Sequence, residues 1–177
     1  MKLSLFRFIS SIGIIPLLLF SSMPCIGESS EARHLKFYNT HTGERLEVTC
    51  QKGDQYIPEA QKKIDYILRD HRNEKVHSMD PKLLDFLYEL LKELDYQGEI
   101  HIISGYRSPG TNESLRNQSS GIAKHSLHMQ GKALDFRLPG VDTKTLRDKA
   151  RAMKRGGVGY YNKLDFIHID TGRVRIW

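Results

Sequence analysis

A leucine repeat between residues 83 and 94 constrains the fold of this chain more than any other feature. Asp80 is a favourable N-terminal cap, and Pro81 suits the first position of a helix. The residues that recur at helical spacing are Leu83, Leu84, Leu87, Leu90, Leu91 and Leu94. Because they form one broad apolar face, we predict a core helix that packs against another layer of the fold.

Shorter patterns on both sides of this helix predict strands and further helices. The segments typical of strands are 35–39, 45–50, 100–104, 132–138, 158–161 and 166–170. Helices are predicted to begin at Pro58 and Thr143, with a short helical piece near Thr111. Residues 105–130 are rich in Gly, Ser, Asn and Pro, and a long irregular stretch of this kind is usually functional or mobile. The whole pattern predicts an α+β fold, with helices packed on a mostly antiparallel sheet.

The start of the chain is typical of a secretory signal. A basic beginning is followed by the apolar run 8–23 and then by small residues that suit a cleavage site. The alternative is an uncleaved membrane anchor, but the run is short for a spanning helix and Pro16 interrupts it. We therefore predict a periplasmic or otherwise exported protein. Its expected parts are a signal peptide (1–27), a disordered lead-in (28–34) and a single domain (35–177).

Charge and cysteine content reduce the number of functions and sites that the chain could have. Removal of the signal would leave 25 basic and 21 acidic residues, a net charge of +4, which favours an anionic wall or membrane surface. Acidic residues are interleaved throughout and no basic run contains aromatics, which argues against nucleic-acid binding. Cys50 would be the one remaining cysteine, so an internal disulfide or a thiolate zinc cluster is excluded. We interpret Cys50 as a buried structural thiol rather than a catalytic one.

Polar residues concentrate in three segments, which are 104–108, 125–135 and 165–170. Alternation along the predicted strand places Asp135 on the face opposite the core, and Gly131 lets the preceding loop return His128 beside it. A distant His168 would add a second nitrogen, and two nitrogens with one carboxylate oxygen can hold zinc with a fourth position open for water. Spacing alone also fits the plainer interpretation that His168 is a satisfied core histidine.

The same segments resemble the zinc D-Ala-D-Ala carboxypeptidase superfamily, which includes vancomycin-resistance dipeptidases, phage endolysins and the hedgehog-like fold. Its pattern S-x-H-x-x-G-x-A-x-D, then a carboxylate three residues before a histidine, occurs here as Ser126-Leu-His128-Met-Gln-Gly131-Lys-Ala133-Leu-Asp135 and Asp165-Phe-Ile-His168. Segments similar to the murein endopeptidase K-like branch include Tyr38-Asn-Thr-His-Thr-Gly-Glu44, Ser104-Gly-Tyr-Arg-Ser-Pro109 and His168-Ile-Asp-Thr-Gly-Arg173. Several motifs in the same order make the resemblance specific.

The resemblance implies a zinc site whose ligands are His128, Asp135 and His168. It also implies Asp165 as general base and Arg107 as the cation that holds a substrate carboxylate or peptide oxygen. Zinc would activate water and polarise the scissile carbonyl. Asp165 must then lie in the turn before the strand, because strict alternation would place it opposite His168. Asp170 shares the face of His168 and is either the rival base or a residue that orients an imidazole.

Three further residues are candidates for substrate contact, namely Ser126, His125 and Tyr106. Ser126 is expected to orient a ligand or to cap the loop. His125 fits a substrate contact and a solvated loop histidine equally well. The aromatic residues Tyr106, Tyr160, Tyr161 and Trp177 are expected either to line a groove or to pack in the core.

The sequence therefore favours a zinc-dependent murein endopeptidase that acts on peptidoglycan stem peptides. We expect a monomer, without nucleic acid and without stable membrane insertion after signal cleavage. One alternative is a D,D- or L,D-carboxypeptidase or dipeptidase that trims free stem-peptide ends. Another is a non-catalytic, zinc-stabilised wall-binding module, since a metal site alone does not ensure hydrolysis. The presence of Asp165 and Arg107 argues against the second alternative.

Overall fold

Eight strands form one mixed sheet in the computed structural model, which describes residues 32–119 and 121–177. The strands are β1 (Ala32–Asn39), β2 (Arg45–Lys52), β3 (Gln55–Tyr56), β4 (Ile100–Ser104), β5 (Ala133–Arg137), β6 (Gly157–Tyr161), β7 (Phe166–Asp170) and β8 (Arg175–Ile176). Their order across the sheet is β3-β2-β1-β4-β5-β7-β6-β8. Only β1 with β4 and β6 with β8 pair in parallel among these strands, so the sheet is mostly antiparallel, as predicted.

Helices accompany the sheet and complete the predicted α+β fold. They are α1 (Pro58–Ile67), α2 (Pro81–Glu93), α3 (Pro109–Gln118) and α4 (Thr143–Ala152). Two short 3₁₀ helices, Leu127–Gln130 and Asn162–Leu164, immediately precede the segments of β5 and β7. The sequence pattern did not predict these 3₁₀ helices or the two-residue strand β3, because each is too short to show a period.

The leucine helix is α2, and its start follows the predicted cap. Asp80 Oδ1 accepts a hydrogen bond from the backbone N of Lys82 at 3.0 Å, and Pro81 occupies the first helical turn. The buried residues of the helix are Leu83, Leu84, Phe86, Leu87, Leu90 and Leu91. The broad apolar face is therefore part of the main hydrophobic core, as the sequence predicted.

Alternation along β5 and β7 separates a core face from a polar face. The core side chains of these two strands are Leu134, Phe136, Ile167 and Ile169, and each is 0% exposed. They belong to one cluster with Leu146 and Ala150 of α4. Asp135 and His168 therefore point to the opposite face of the sheet. This separation lets polar groups gather on one side while the other side supplies hydrophobic stability.

The N-terminal boundary of the domain differs from the prediction. Strand β1 begins at Ala32, so residues 32–34 are sheet and not a disordered lead-in. Ala32 pairs with Lys52, and the guanidinium of Arg33 forms an ion pair with Asp85 on α2. The sequence pattern missed this extension because it depends on partners far along the chain. The predicted signal peptide and residues 28–31 lie outside the described residues.

Two smaller expectations concern the membrane and Cys50. No helix within residues 32–119 and 121–177 combines the length and apolarity needed to cross a bilayer. Cys50 on β2 is a free, buried thiol, and burial raises its pKa above the usual value. The interpretation of Cys50 as a buried thiol is thus confirmed.

Candidate active site

Asp135 and His168 form the base of a polar cluster because they are direct partners on adjacent antiparallel strands. In the pairing of β5 with β7 they occupy opposite positions, and His168 Nδ1 lies 2.8 Å from Asp135 Oδ1. Both side chains project from the same face of the sheet. The register of two strands therefore produces a pairing that the sequence separation of 33 residues does not suggest.

His128 reaches the same point from the 3₁₀ helix Leu127–Gln130. The helix ends at Gly131, whose φ of +66° is a left-handed conformation that favours glycine. A Cβ at this position would lie 2.3 Å from the carbonyl oxygen of Ser78, so glycine is also required by the close packing. His128 Nε2 then lies 3.2 Å from His168 Nδ1 and 3.3 Å from Asp135 Oδ2.

The three side chains offer a suitable donor set for a metal ion. One ligand atom from each of His128, Asp135 and His168 lies within 4.8 Å of the others, and all three residues are buried. Two imidazole nitrogens and one carboxylate oxygen are typical of catalytic zinc sites that keep a position open. The predicted ligands are thus brought together by the fold.

Hydrogen bonds on the outer nitrogens orient both imidazoles toward the centre of the cluster. His128 Nδ1 lies 2.7 Å from the carbonyl oxygen of Gly105, to which it can only donate. His168 Nε2 lies 2.9 Å from Asp170 Oδ2. These partners leave Nε2 of His128 and Nδ1 of His168 directed inward, an arrangement that commonly fixes metal-binding histidines.

Burial and mutual contact shift the proton affinities of the cluster. Burial alone would raise the pKa of Asp135, but the charges and hydrogen bonds of His128 and His168 hold it well below its usual range. Burial lowers the pKa of His128. Burial opposes protonation of His168 as well, yet hydrogen bonds to Asp135 and Asp170 raise its pKa to about 9. Without an ion, the ring of His168 therefore carries a proton on each nitrogen at neutral pH, and each proton faces one of the two carboxylates.

Asp170 is fully buried behind the imidazole of His168. Its carboxylate accepts hydrogen bonds from the backbone N of Gly157 at 3.1 Å and of Gly172 at 2.8 Å. Arg175 adds two further bonds at 3.0 and 2.7 Å. Although burial alone would raise the pKa of Asp170, these partners and His168 hold it at about 2. Because the ring of His168 separates Asp170 from the cluster, the geometry fits an orienting residue better than the rival base.

Arg107 lies at the edge of the cluster on the β4 side. Its backbone N donates to the carbonyl oxygen of His128 at 3.2 Å, and its Nη2 lies 3.6 Å from Asp135 Oδ2. Its Nη2 also donates to Ser104 Oγ at 3.3 Å, whereas its Nε has no partner among the described residues. The next residue, Ser108, is held by Asp70, whose Oδ2 accepts from its backbone N at 2.9 Å. A buried guanidinium with an unsatisfied N–H can still bind a ligand oxygen.

Asp165 lies in the turn before β7, as the predicted role of base requires, but its carboxylate has other partners. It ends the 3₁₀ helix Asn162–Leu164 with a left-handed φ of +52°. Oδ1 accepts a hydrogen bond from Thr143 Oγ1 on α4, and Oδ2 lies 3.9 Å from Arg137 Nη1. The side chain is 68% exposed. The structure thus places Asp165 next to the site in sequence without bringing its carboxylate into the cluster.

The three candidates for substrate contact have different surroundings. Ser126 caps the 3₁₀ helix, where its Oγ accepts from His128 N at 3.4 Å, and it also lines the cleft. His125 is exposed and lines the same cleft. Tyr106 lies elsewhere: its ring is buried in the core and stacks on His77 at 4.7 Å. The structure therefore gives no support to a substrate contact for Tyr106.

A cleft of about 550 Å³ opens directly above the three candidate ligands. Residues of the loop 121–127 form one wall, and an aromatic group that contains Tyr161, Phe166 and Trp177 forms another. Arg107 and Arg175 give the cleft a cationic character. The sequence did not identify Arg175 or the carbonyl of Gly105, because their roles depend on contacts with Asp170 and His128 that no local pattern reveals.

Comparison with known proteins identifies the relatives of this chain. The family model described as peptidoglycan L,D-endopeptidase MepK matches residues 27–177. A relative from Haemophilus influenzae, named probable peptidoglycan L,D-endopeptidase MepK, is 43% identical over 169 residues, or 94% of this chain and 88% of that protein. Peptidoglycan L,D-endopeptidase MepK from Escherichia coli K12 is 43% identical over 145 residues, or 82% of this chain and 80% of that protein. No solved structure is significantly similar to the chain.

Proposed function

The chain belongs to the M15 metallopeptidase family described as peptidoglycan L,D-endopeptidase MepK, and we propose that it is a zinc-dependent enzyme that hydrolyses peptide cross-links in murein. Its relatives in Haemophilus influenzae and Escherichia coli carry the name of that activity. The single observation that carries the proposal is the meeting of His128, Asp135 and His168 at the floor of a cleft.

We assign the ion to the inward-facing atoms of these three residues. Nε2 of His128, Nδ1 of His168 and a carboxylate oxygen of Asp135 would hold it. When bound, zinc supplies Lewis-acid chemistry, since it polarises a carbonyl and makes water a better nucleophile near neutral pH. Gly105 and Asp170 support the assignment, because each fixes the outer nitrogen of one imidazole.

Arg107 is proposed to bind the substrate. Its guanidinium is almost buried, lies beside Asp135 and carries an N–H without a partner among the described residues. A buried guanidinium offers fixed donors, which suit a carboxylate or a peptide oxygen that gains negative charge. The backbone bond from Arg107 to His128 supports this role, since it ties the cation to a candidate ligand.

Asp165 is proposed to act as general base after its side chain turns away from Thr143. Its carboxylate is mostly exposed, so the rotation costs little burial. In the cleft it would take a proton from water and pass it to the leaving amine. Ser126 and His125 are proposed to contact the stem peptide, because both line the cleft. Action on peptidoglycan further implies export, most simply to the periplasm.

Digestion of purified cross-linked muropeptides tests the proposal. The zinc-loaded protein would be incubated separately with dimers joined through two diaminopimelate residues and with dimers joined through D-Ala and diaminopimelate. The products would be identified by mass spectrometry. We expect monomers from the first dimer, loss of cleavage with a chelator, and loss of cleavage in His168→Ala. His34→Ala, an exposed histidine on β1, is the matched control and should cleave normally.

Three results would contradict the proposal. Trimming of free stem-peptide ends with intact cross-links would identify a carboxypeptidase instead. A folded, zinc-bound protein that binds murein without cleaving it would identify a wall-binding module. Cleavage that persists in His168→Ala after chelation would show that the reaction does not use the assigned site.

A further inference from the structure

Aromatic rings line the cleft on the side of β6 and β8, beginning directly at a candidate ligand. The indole of Trp177 lies 5.1 Å from the ring of His168, measured between centroids. Its Nε1 donates to the hydroxyl of Tyr161 at 3.2 Å, and Tyr161 stacks on Phe166 at 4.5 Å. These three aromatic residues, the aromatic wall, form a continuous surface that starts beside the cluster.

The position of Trp177 is built into the fold. Gly159 is the β6 partner of His168, and a Cβ on it would lie 2.6 Å from Cε2 of Trp177. Glycine thus lets the indole lie close over the strand, next to the imidazole. The backbone of Trp177 bonds to Val158 and Tyr160 on β6, and the guanidinium of Arg175 lies 4.9 Å from the indole centroid. The ring is therefore held by main chain and side chains together.

Despite these contacts, much of the indole faces the cleft. Trp177 is 46% exposed and Tyr161 is 36% exposed, and both line the cleft above the candidate ligands. A large, rigid aromatic surface beside a reactive centre is well suited to bind an apolar part of a ligand, because few torsions must be ordered.

Sheet order gives the cleft two unlike ends. Arg107 follows β4 and lies beside Asp135 on β5, whereas Trp177 follows β8 and lies beside His168 on β7. Because the order is β4-β5-β7-β6-β8, the cation and the indole flank the cluster on opposite sides. A peptide that crosses the cluster would meet at one end Arg107, whose Nε has no partner among the described residues. At the other end it would meet an aromatic surface, where the neighbouring cation Arg175 is already paired with Asp170.

We propose that Trp177, supported by Tyr161, is a substrate-positioning residue that packs against the methylene chain of a diaminopimelate residue beside the scissile bond. The proposal rests on the proposed murein endopeptidase function. Diaminopimelate has a run of methylenes between two amino-acid ends, so the chain of one residue suits the indole. In the dimer joined through two diaminopimelate residues, the carboxylate of the residue on the other side of the scissile bond suits Arg107. At the position that faces the indole, the aromatic wall would thereby favour a diaminopimelate residue over an alanine residue, whose side chain is too short to cover the ring.

Steady-state kinetics on the diaminopimelate-linked dimer test the proposal. Burial of about three methylenes predicts that Trp177→Ala raises KM roughly 10- to 50-fold with a much smaller change in kcat. Trp177→Phe, which keeps an apolar ring, should lie between the wild type and Trp177→Ala. The matched control is Ile176→Ala, an exposed neighbour on β8, and its KM should equal that of the wild type.

Fluorescence gives a readout that does not depend on cleavage. Trp177 is the single tryptophan of the sequence, so the emission of the wild-type protein reports directly on the aromatic wall. Addition of the dimer to chelator-treated protein should shift or quench the emission in a saturable way, whereas a monomeric peptide that lacks diaminopimelate should not. This arm still decides the proposal if Trp177→Ala does not fold.

The outcomes separate this proposal from the function on which it rests. If the wild type cleaves no dimer, the endopeptidase function fails, and the emission titration alone decides whether the indole contacts diaminopimelate. If the wild type cleaves the dimer but neither Trp177 variant changes KM and the emission is constant, the proposal is wrong. If Trp177→Phe lowers the zinc affinity or the Tm but leaves KM unchanged, Trp177 has a purely structural role, and the proposal is also wrong.

Discussion

Zinc binding to the metal-free protein is predicted to release one proton at neutral pH, because both nitrogens of His168 face carboxylates. Nδ1 lies 2.8 Å from Asp135 Oδ1, and Nε2 lies 2.9 Å from Asp170 Oδ2. Burial alone would lower the pKa of His168, but these hydrogen bonds raise it to about 9, so the ring carries both protons at pH 7. An ion at Nδ1 must displace one of them, and Nε2 keeps the other.

Zinc binding is expected to release no proton from His128. Its Nδ1 donates to the carbonyl oxygen of Gly105, and burial lowers its pKa, so Nε2 is already free at pH 7. Since one proton competes with the ion below the pKa of His168, the apparent zinc affinity should rise about tenfold per pH unit, or about 1.4 kcal/mol. It should level off above about pH 9.

Calorimetric titration with zinc in two buffers of different ionisation enthalpy measures the released protons directly. Asp170→Asn removes one of the two carboxylates, so the pH at which the affinity levels off should fall in that variant. A buffer-independent heat, together with an affinity that does not change between about pH 6.5 and 8.5, would refute the reasoning.

Three further predictions concern activity and stability. Arg107→Ala should lower kcat/KM on cross-linked muropeptides by roughly 10²–10³, because fixed donors to developing charge are lost. An unchanged kcat/KM would show that Arg107 does not bind the substrate. Asp165→Asn should lower kcat by about 10²–10⁴, because the proposed base is lost. Thr143→Val removes only the hydrogen bond to the Asp165 carboxylate and should leave kcat unchanged. Equal kcat values in the two variants would exclude Asp165 as the base. Leu87→Ala, fully buried in α2, should cost about 2–5 kcal/mol in urea unfolding, against less than about 0.5 kcal/mol for the exposed control Val76→Ala.

The parts of the fold that sequence predicted well are those with strong local patterns. The start of α2 at Pro81 follows from a cap and a leucine period, and the bounds of β4 and β7 match the predicted segments. Local periodicity reports which face of an element is buried, and burial is what these elements share. The meeting of His128, Asp135 and His168 was expected from the resemblance, since spacing alone favoured a satisfied core histidine at position 168.

The features that sequence missed depend on distant partners. Residues 32–34 are strand because β2 and Asp85 supply partners for them, and nothing in the segment itself indicates this. The bond of Asp165 to Thr143 joins residues 22 apart, so the orientation of the proposed base was not predictable. In the same way, the close approach of the Trp177 indole to Gly159 depends on the parallel pairing of β6 with β8.

Diffraction from crystals of the zinc-loaded protein, recorded at the zinc absorption edge, tests the central claim most directly. The predicted result is one strong anomalous peak at about 2.0–2.2 Å from His128 Nε2, His168 Nδ1 and a carboxylate oxygen of Asp135. A peak at any other group of residues, with the two imidazoles still bonded to each other and to Asp135, would contradict it.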